Sequence, residues 1–236
     1  MTKKKITVYY KRMNYRAIIF DLDGTIADTN HIWDHATRSL LTEKSVIITP
    51  EIEYDLRTKI SGLALPYSCK MLKDMFSLEE SVEEIMQKHF THLVTGYQEK
   101  LSFIRGFVTF HRKATKQFGL LSGVATNSDD TWMIITKEKL RLERFFGRHI
   151  YNISAVNNVP KPYPDLYLHV ASQLNVAPEE CIAIEDSQNG LNAAKNAGMF
   201  CIGLNSGKNR ELLAKSDFTV DYYRQIDLPR LFASKK

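Results

Sequence analysis

The sequence predicts an α/β protein: a parallel sheet with helices on both faces, interrupted by an all-helical insert. Three observations carry this. The run Ala17-Ile18-Ile19-Phe20 is continuously apolar, as a strand covered on both faces must be. From about Gly106 onward, strand-like runs alternate with helical spacing, the rhythm of parallel strands joined by right-handed crossovers. Between about Asn30 and Lys100 that rhythm gives way to amphipathic stretches with no convincing strand pair.

The first strand is followed by amphipathic segments at 31–41, 51–60, 68–75 and 82–97. Residues 107–118 have helical spacing and end at Gly119, a helix stop signal. Residues 120–126 read as a strand, 131–140 as a helix, 149–155 as a weaker strand, and 165–174 as a helix entered through Pro164. Cys181–Glu185 and Phe200–Leu204 are strand-like on either side of a helix at 191–197, which stops at Gly198. A short helix near 210–214 and a strand near Phe218–Val220 complete the pattern. The expected organisation is an α/β core of residues 15–29 and 101–236, a helical insert of 30–100, and a basic N-terminal extension of 1–14. For the extension, Ile6-Thr7-Val8-Tyr9-Tyr10 as an edge strand is the rival reading.

Composition narrows the function. The 236 residues, 44% hydrophobic and 25% charged, have the balance of a soluble globular protein large enough for a core plus a smaller insert. The net charge of +5 gathers at the ends, in Lys3-Lys4-Lys5, Lys11-Arg12 and Lys235-Lys236. No basic stripe interleaved with aromatics lies inside the chain, so no nucleic-acid partner is expected. No apolar run reaches the length of a membrane span, and residues 1–16 lack the apolar core of a signal peptide. Cys69, Cys181 and Cys201 are widely spaced core-type thiols, which fits a reducing cytoplasm. A small-molecule partner and a monomer or weak dimer are expected.

Four polar signals stand at the ends of predicted strands. They are Asp21 with Asp23; Thr126-Asn127-Ser128; Lys161 between Pro160 and Pro162; and Glu185-Asp186. Ligands of open α/β sheets bind beyond the carboxyl ends of the strands. Acids placed there are costly unless they hold a metal or perform chemistry. Each signal has an ordinary rival. Asp21 and Asp23 could cap a turn, Thr126-Asn127-Ser128 could be a loop, Lys161 could be merely exposed, and Asp186 or Ser187 could cap the next helix. Their joint occurrence makes the site.

Asp21-Leu22-Asp23-Gly24-Thr25 with Asp28, Ala125-Thr126-Asn127-Ser128, Lys161-Pro162-Tyr163-Pro164-Asp165, and Glu185-Asp186-Ser187 with Gly190, Ala193-Ala194 and Ala197-Gly198-Met199 resemble four known motifs. They are those of the haloacid-dehalogenase-like hydrolase superfamily, matched in order over most of residues 15–205. The insert resembles the helical cap of the subfamily that contains phosphoglycolate phosphatases and β-phosphoglucomutases. The resemblance implies a Rossmann-like core, Mg²⁺ dependence and a phosphoaspartate intermediate. Asp21 would then be the nucleophile, and the Asp23 side chain the general acid and base. Asp21, the backbone carbonyl of Asp23 and Asp186 would hold Mg²⁺, with Glu185 a direct or water-bridged ligand. Thr126, with Asn127, Ser128 and their amides, would bind phosphoryl oxygens, and Lys161 would offset charge on the transferring group.

Asp23 speaks against the name-giving dehalogenation, because the resembling dehalogenases lack this second acid and need no Mg²⁺. In the cap, Ile60-Ser61-Gly62-Leu63-Ala64-Leu65-Pro66 resembles a substrate-specificity loop, which makes Gly62 and Leu63 candidate substrate contacts. The resembling mutases carry a basic residue a few positions after that glycine, whereas here the first is Lys70. A phosphatase is therefore expected. A β-phosphoglucomutase-like mutase is the alternative, and a binding protein on a retired scaffold the third reading. Of His31, Trp33 and His35, at least two are expected to pack the first cap helix. The extension reading predicts that deleting residues 1–12 leaves the melting temperature unchanged, which thermal denaturation would show.

Overall fold

The computed structural model of the protein describes residues 14–60, 63, 65–206 and 210–232. The two readings of the N-terminal extension, and Gly62 with its neighbours Ser61 and Ala64, lie outside these residues. The strands β1 (Ala17–Phe20), β2 (Leu121–Thr126), β3 (Ile150–Asn152), β4 (Cys181–Glu185), β5 (Phe200–Leu204) and β6 (Phe218–Val220) form one parallel sheet. Its order is β3-β2-β1-β4-β5-β6. β1 is wholly buried because it runs between β2 and β4 and is covered on both faces. Phe20 lies opposite Val124 on one side and Ile184 on the other, so the residues that follow reach one rim. The strand order reverses at β1, the switch point where such sheets bind ligands.

The insert leaves this rim after β1. Its helices are α1 (Asn30–Glu43), α2 (Pro50–Lys59), α3 (Leu65–Phe76) and α4 (Val82–Lys100). α2 begins at Thr49, whose Oγ1 accepts the Ile52 N–H at 3.4 Å, with Pro50 at the first helical position. α4 begins with a reciprocal cap. The Ser81 N–H donates to Glu84 Oε2 at 2.8 Å, and the Glu84 N–H to Ser81 Oγ at 3.2 Å. The cap has its own apolar centre, built from Leu40, Leu41, Leu65, Cys69, Leu72 and Ile85. Its outgoing and returning linkers lie side by side. Ala27 bridges Phe103 antiparallel, Asp28 N–H donates to Ser102 O, and Ile104 N–H donates to Ile26 O, both at 2.8 Å.

The remaining helices are α5 (Phe107–Arg112), α6 (Asp130–Leu140), α7 (Glu143–Phe146), α8 (Asp165–Gln173), α9 (Gln188–Asn196) and α10 (Leu228–Phe232). The two-residue alternation of the strands sorts them. Ile18, Phe20, Val124 and Ile184 face Phe107, Trp132, Phe146 and Leu228 of α5, α6, α7 and α10. Ala17, Ile19, Cys181 and Ala183 face Leu166 and Tyr167 of α8 and Leu191 of α9. Cys69, Cys181 and Cys201 are all free and buried, as expected of core thiols. Burial pushes the Cys69 and Cys181 thiols up to about 12.

Three elements differ from expectation. The helix expected over 107–118 is α5 followed by one wide, π-type turn, Lys113–Gln117. A single turn is too short for side-chain spacing to tell the two forms apart. The strand expected over 149–155 keeps only Ile150–Asn152 and then turns. As an edge strand it is paired on one side, and Asn152 Nδ2 and Ser154 Oγ donate to the Asp130 carboxylate at 2.7 and 3.2 Å, drawing the chain out of line. The last expected helix is a single tight turn, Arg210–Leu213.

Phe107 is completely buried and meets Phe20 edge to face at 5.6 Å. Phe107→Ala is expected to cost about 3–5 kcal/mol, measured by denaturant unfolding.

Candidate active site

The rim beyond β1 and β4 gathers the residues singled out by sequence, around a lysine. Lys161 is 2% exposed although it stands between two prolines. Its Nζ lies 2.5 Å from Asp21 Oδ1 and 2.6 Å from Glu185 Oε1. Its backbone N–H donates to Asn127 Oδ1 at 2.9 Å, so the Asn127 side chain holds the lysine loop against the end of β2. Tyr167 completes the pocket: its hydroxyl donates to Glu185 Oε1 at 2.7 Å, and its ring centre lies 5.1 Å from Nζ. Ser187 Oγ donates to Glu185 Oε2 at 3.2 Å and accepts the Gly190 N–H at 3.1 Å, capping α9. A Cβ at Gly190 would come within 1.9 Å of the Glu185 carboxylate, so only glycine lets α9 approach this closely.

The electrostatics are those of a cation site. Carboxylate oxygens of Asp21, Glu185 and Asp186 lie within 4.8 Å of one another. Burial, then Glu185, raises Asp21 well above the usual carboxylate range despite Lys161. Burial, then Glu185, raises Asp186 to about 7, against the hydrogen bonds from Asn30 and Ser206. Burial alone pushes Lys161 down, but Asp21 and Glu185 more than reverse this and hold it above the ordinary lysine range. One ammonium thus stands among three carboxylates, two of them buried, and an oxygen-only donor set with excess negative charge fits Mg²⁺. Asp186 is steered into the set: its Oδ2 accepts from Asn30 Nδ2 at 3.1 Å and Ser206 Oγ at 3.2 Å. Gly24 (φ +77°) makes room, since a Cβ there would sit 2.0 Å from that oxygen. Both Glu185 oxygens already accept hydrogen bonds from protein groups, which makes Glu185 first a partner of Lys161.

Asp23 has different surroundings. Its side chain is outside this carboxylate cluster and faces the cap. Oδ1 accepts from the Tyr97 hydroxyl of α4 at 3.1 Å, and Oδ2 accepts from Ser128 Oγ. Thr126 Oγ1 accepts the Ser128 N–H at 3.0 Å, so that amide is turned onto Thr126 rather than toward the pocket.

A cavity between cap and core, of about 150 Å³, is lined by Asp21, Asp23, Thr126, Asn127, Ser128 and Lys161. The cap contributes Leu63 together with Trp33, Asp34, Thr37, Arg38 and Glu53. Of the three aromatic or imidazole residues of α1, only Trp33 packs; His31 and His35 are exposed, because the apolar stripe of α1 runs through Ile32, Ala36 and Leu40. Arg38 carries no signal in the sequence: the cap's cation at the cavity wall comes from α1. It is paired with Glu53 of α2, whereas Lys70 is exposed and paired with Asp74 at 2.9 Å. Tyr167 and Tyr97 carry no such signal either. Helical spacing alone shows them as core aromatics.

A family model of haloacid dehalogenase-like hydrolases matches residues 18–204. A phosphorylated carbohydrates phosphatase of Thermotoga maritima is 30% identical over 207 residues, 81% of this chain and 88% of that protein. Hexitol phosphatase B of Escherichia coli is 30% identical over 188 residues, 78% of this chain and 80% of that protein. The crystal structure of β-phosphoglucomutase from Clostridium difficile superposes with a TM-score of 0.75 at 25% identity, covering 92% of this chain and 95% of the other. An α/β sheet with a helical cap over an acidic rim defines a hydrolase class, and the chain belongs to the haloacid dehalogenase-like hydrolase family.

Gly190→Ala is expected to destabilise the protein by about 1–3 kcal/mol through the collision with Glu185. Chemical denaturation of the variant and the parent measures the difference.

Proposed function

We propose that the chain is a Mg²⁺-dependent phosphatase of small phosphorylated carbohydrates, acting through a phosphoaspartate on Asp21. The carrying observation is that two acids two residues apart have opposite partners. Asp21 is held by Lys161, and Asp23 by Tyr97 and Ser128. Asp21 attacks phosphorus, forming its acyl-phosphate bond as the bond to the alkoxide breaks. Asp23 gives that alkoxide its proton. It then takes a proton from the water that cleaves the acyl phosphate and frees inorganic phosphate. Lys161 orients Asp21 and offsets negative charge beside it, and Thr126 offers its hydroxyl to a phosphoryl oxygen. Asp21, Asp186 and the Asp23 carbonyl would hold Mg²⁺, with Glu185 behind them. The ion would supply positive charge to the phosphoryl group.

The cap supports a sugar or polyol phosphate. Arg38 and Glu53 line the cavity as a mutually balanced donor and acceptor pair, suited to hydroxyl groups. The named relatives act on phosphorylated carbohydrates and hexitol phosphates, which points the same way. The mutase remains the second reading, because Arg38 is a cation in the cavity. A second phosphate would have to displace Glu53 from it, which disfavours this reading. Among the described residues no helix is long and apolar enough to cross a membrane. Buried free thiols favour a reducing compartment, so we place the enzyme in the cytoplasm, as a monomer or weak dimer without a nucleic-acid partner.

Phosphate release from a panel of sugar, polyol and carboxylate phosphates, with and without Mg²⁺, tests this. Mg²⁺-dependent release from sugar or polyol phosphates is expected, falling at least about 10³-fold in Asp21→Asn. Conversion of a hexose 1-phosphate to the 6-phosphate without net phosphate release would establish the mutase instead.

A further inference from the structure

We propose that Tyr97, on helix α4 of the cap, is a positioning residue for Asp23, holding the acid for alkoxide protonation through a Trp33–Tyr97–Asp23 hydrogen-bond chain. This rests on Asp23 acting as the general acid.

The polarity of the chain is set by its ends. The Trp33 indole can only donate, and it donates Nε1–H to the Tyr97 hydroxyl oxygen at 3.0 Å. A carboxylate can only accept, and Asp23 Oδ1 lies 3.1 Å from the same hydroxyl. The phenolic hydrogen therefore points at Asp23. Ser128 Oγ donates to the other oxygen, so Asp23 is held by one donor from the cap and one from the core. Each carboxylate oxygen can accept a second hydrogen bond, which leaves lone pairs for the cavity that Asp23 lines.

Tyr97 is itself clamped. It has no exposed surface, and its ring centre lies 4.7 Å from that of Trp132 on core helix α6. Lys139 of the same helix donates to the Tyr97 carbonyl at 2.9 Å, fixing the end of α4 against the core. Trp33 satisfies only the accepting side of the Tyr97 hydroxyl, whose hydrogen still needs an acceptor. That acceptor lies across the boundary between cap and core, on a reacting group.

The leaving group separates this role from a structural one. An alkoxide must be protonated as it departs, whereas p-nitrophenolate leaves without a proton. The kcat/KM ratio for an alkyl phosphate over p-nitrophenyl phosphate therefore reads the acid alone. In Tyr97→Phe this ratio is expected to fall about tenfold, with KM for the alkyl phosphate and the melting temperature little changed. Trp33→Phe removes the indole donor and is expected to lower the ratio in the same direction by less. Asp23→Asn, measured alongside, should collapse the ratio. If it does not, Asp23 is not the acid and the reading beneath the proposal fails. If Asp23→Asn collapses the ratio while Tyr97→Phe leaves it unchanged, or lowers both substrates equally, Tyr97 does not position the acid.

Discussion

Lys161 between Asp21 and Glu185 is the interaction on which the rest of the site depends. Removing an ammonium from water costs several kcal/mol even after relaxation, and only close, hydrogen-bonded anions offset it. The protein supplies two carboxylates within 2.6 Å, an aromatic face from Tyr167 and a backbone anchor from Asn127. Each supporting residue belongs to a different strand end or helix. The lysine thus ties β1, β2, β4 and α8 to one point, and neighbouring choices follow from it. Glu185 must be wholly buried to meet Lys161, Ser187 satisfies its second oxygen, and Gly190 must be glycine for α9 to pass.

The same arrangement leaves the rim short of positive charge. Three carboxylates crowd around one ammonium, and burial with mutual repulsion lifts Asp21 and Asp186 toward neutrality. A further cation at this rim would offset the excess negative charge and favour the ionised carboxylates. Asp23, only two residues on, escapes this crowd because the turn at Gly24 directs it to Tyr97 and Ser128. Two carboxylates with separate partners can take separate roles.

The cap helices carry their own apolar centre and place polar groups over the rim. The Arg38–Glu53 pair joins α1 to α2 at the cavity wall, while Trp33 and Tyr97 connect the cap to the acid. The paired linkers at Ala27 and Phe103 keep the exit and return of the cap together.

The sequence alone determined the sheet and the chemistry along it. A fully buried strand must be apolar throughout, and charged groups at its carboxyl end need a reason to be there; hence β1, β4, β5 and their acids were legible. The weaker readings failed where local pattern has little force: the edge strand β3, the wide turn after α5, and the exposed His31 and His35. Tertiary structure decided which distant side chains meet. That Tyr167 lies on Lys161, that Arg38 faces the cavity, and that Tyr97 reaches Asp23 across 74 residues depends on how helices pack, not on spacing within any one of them. Periodicity reports which face of an element is buried. It carries no information about which partner that face finds.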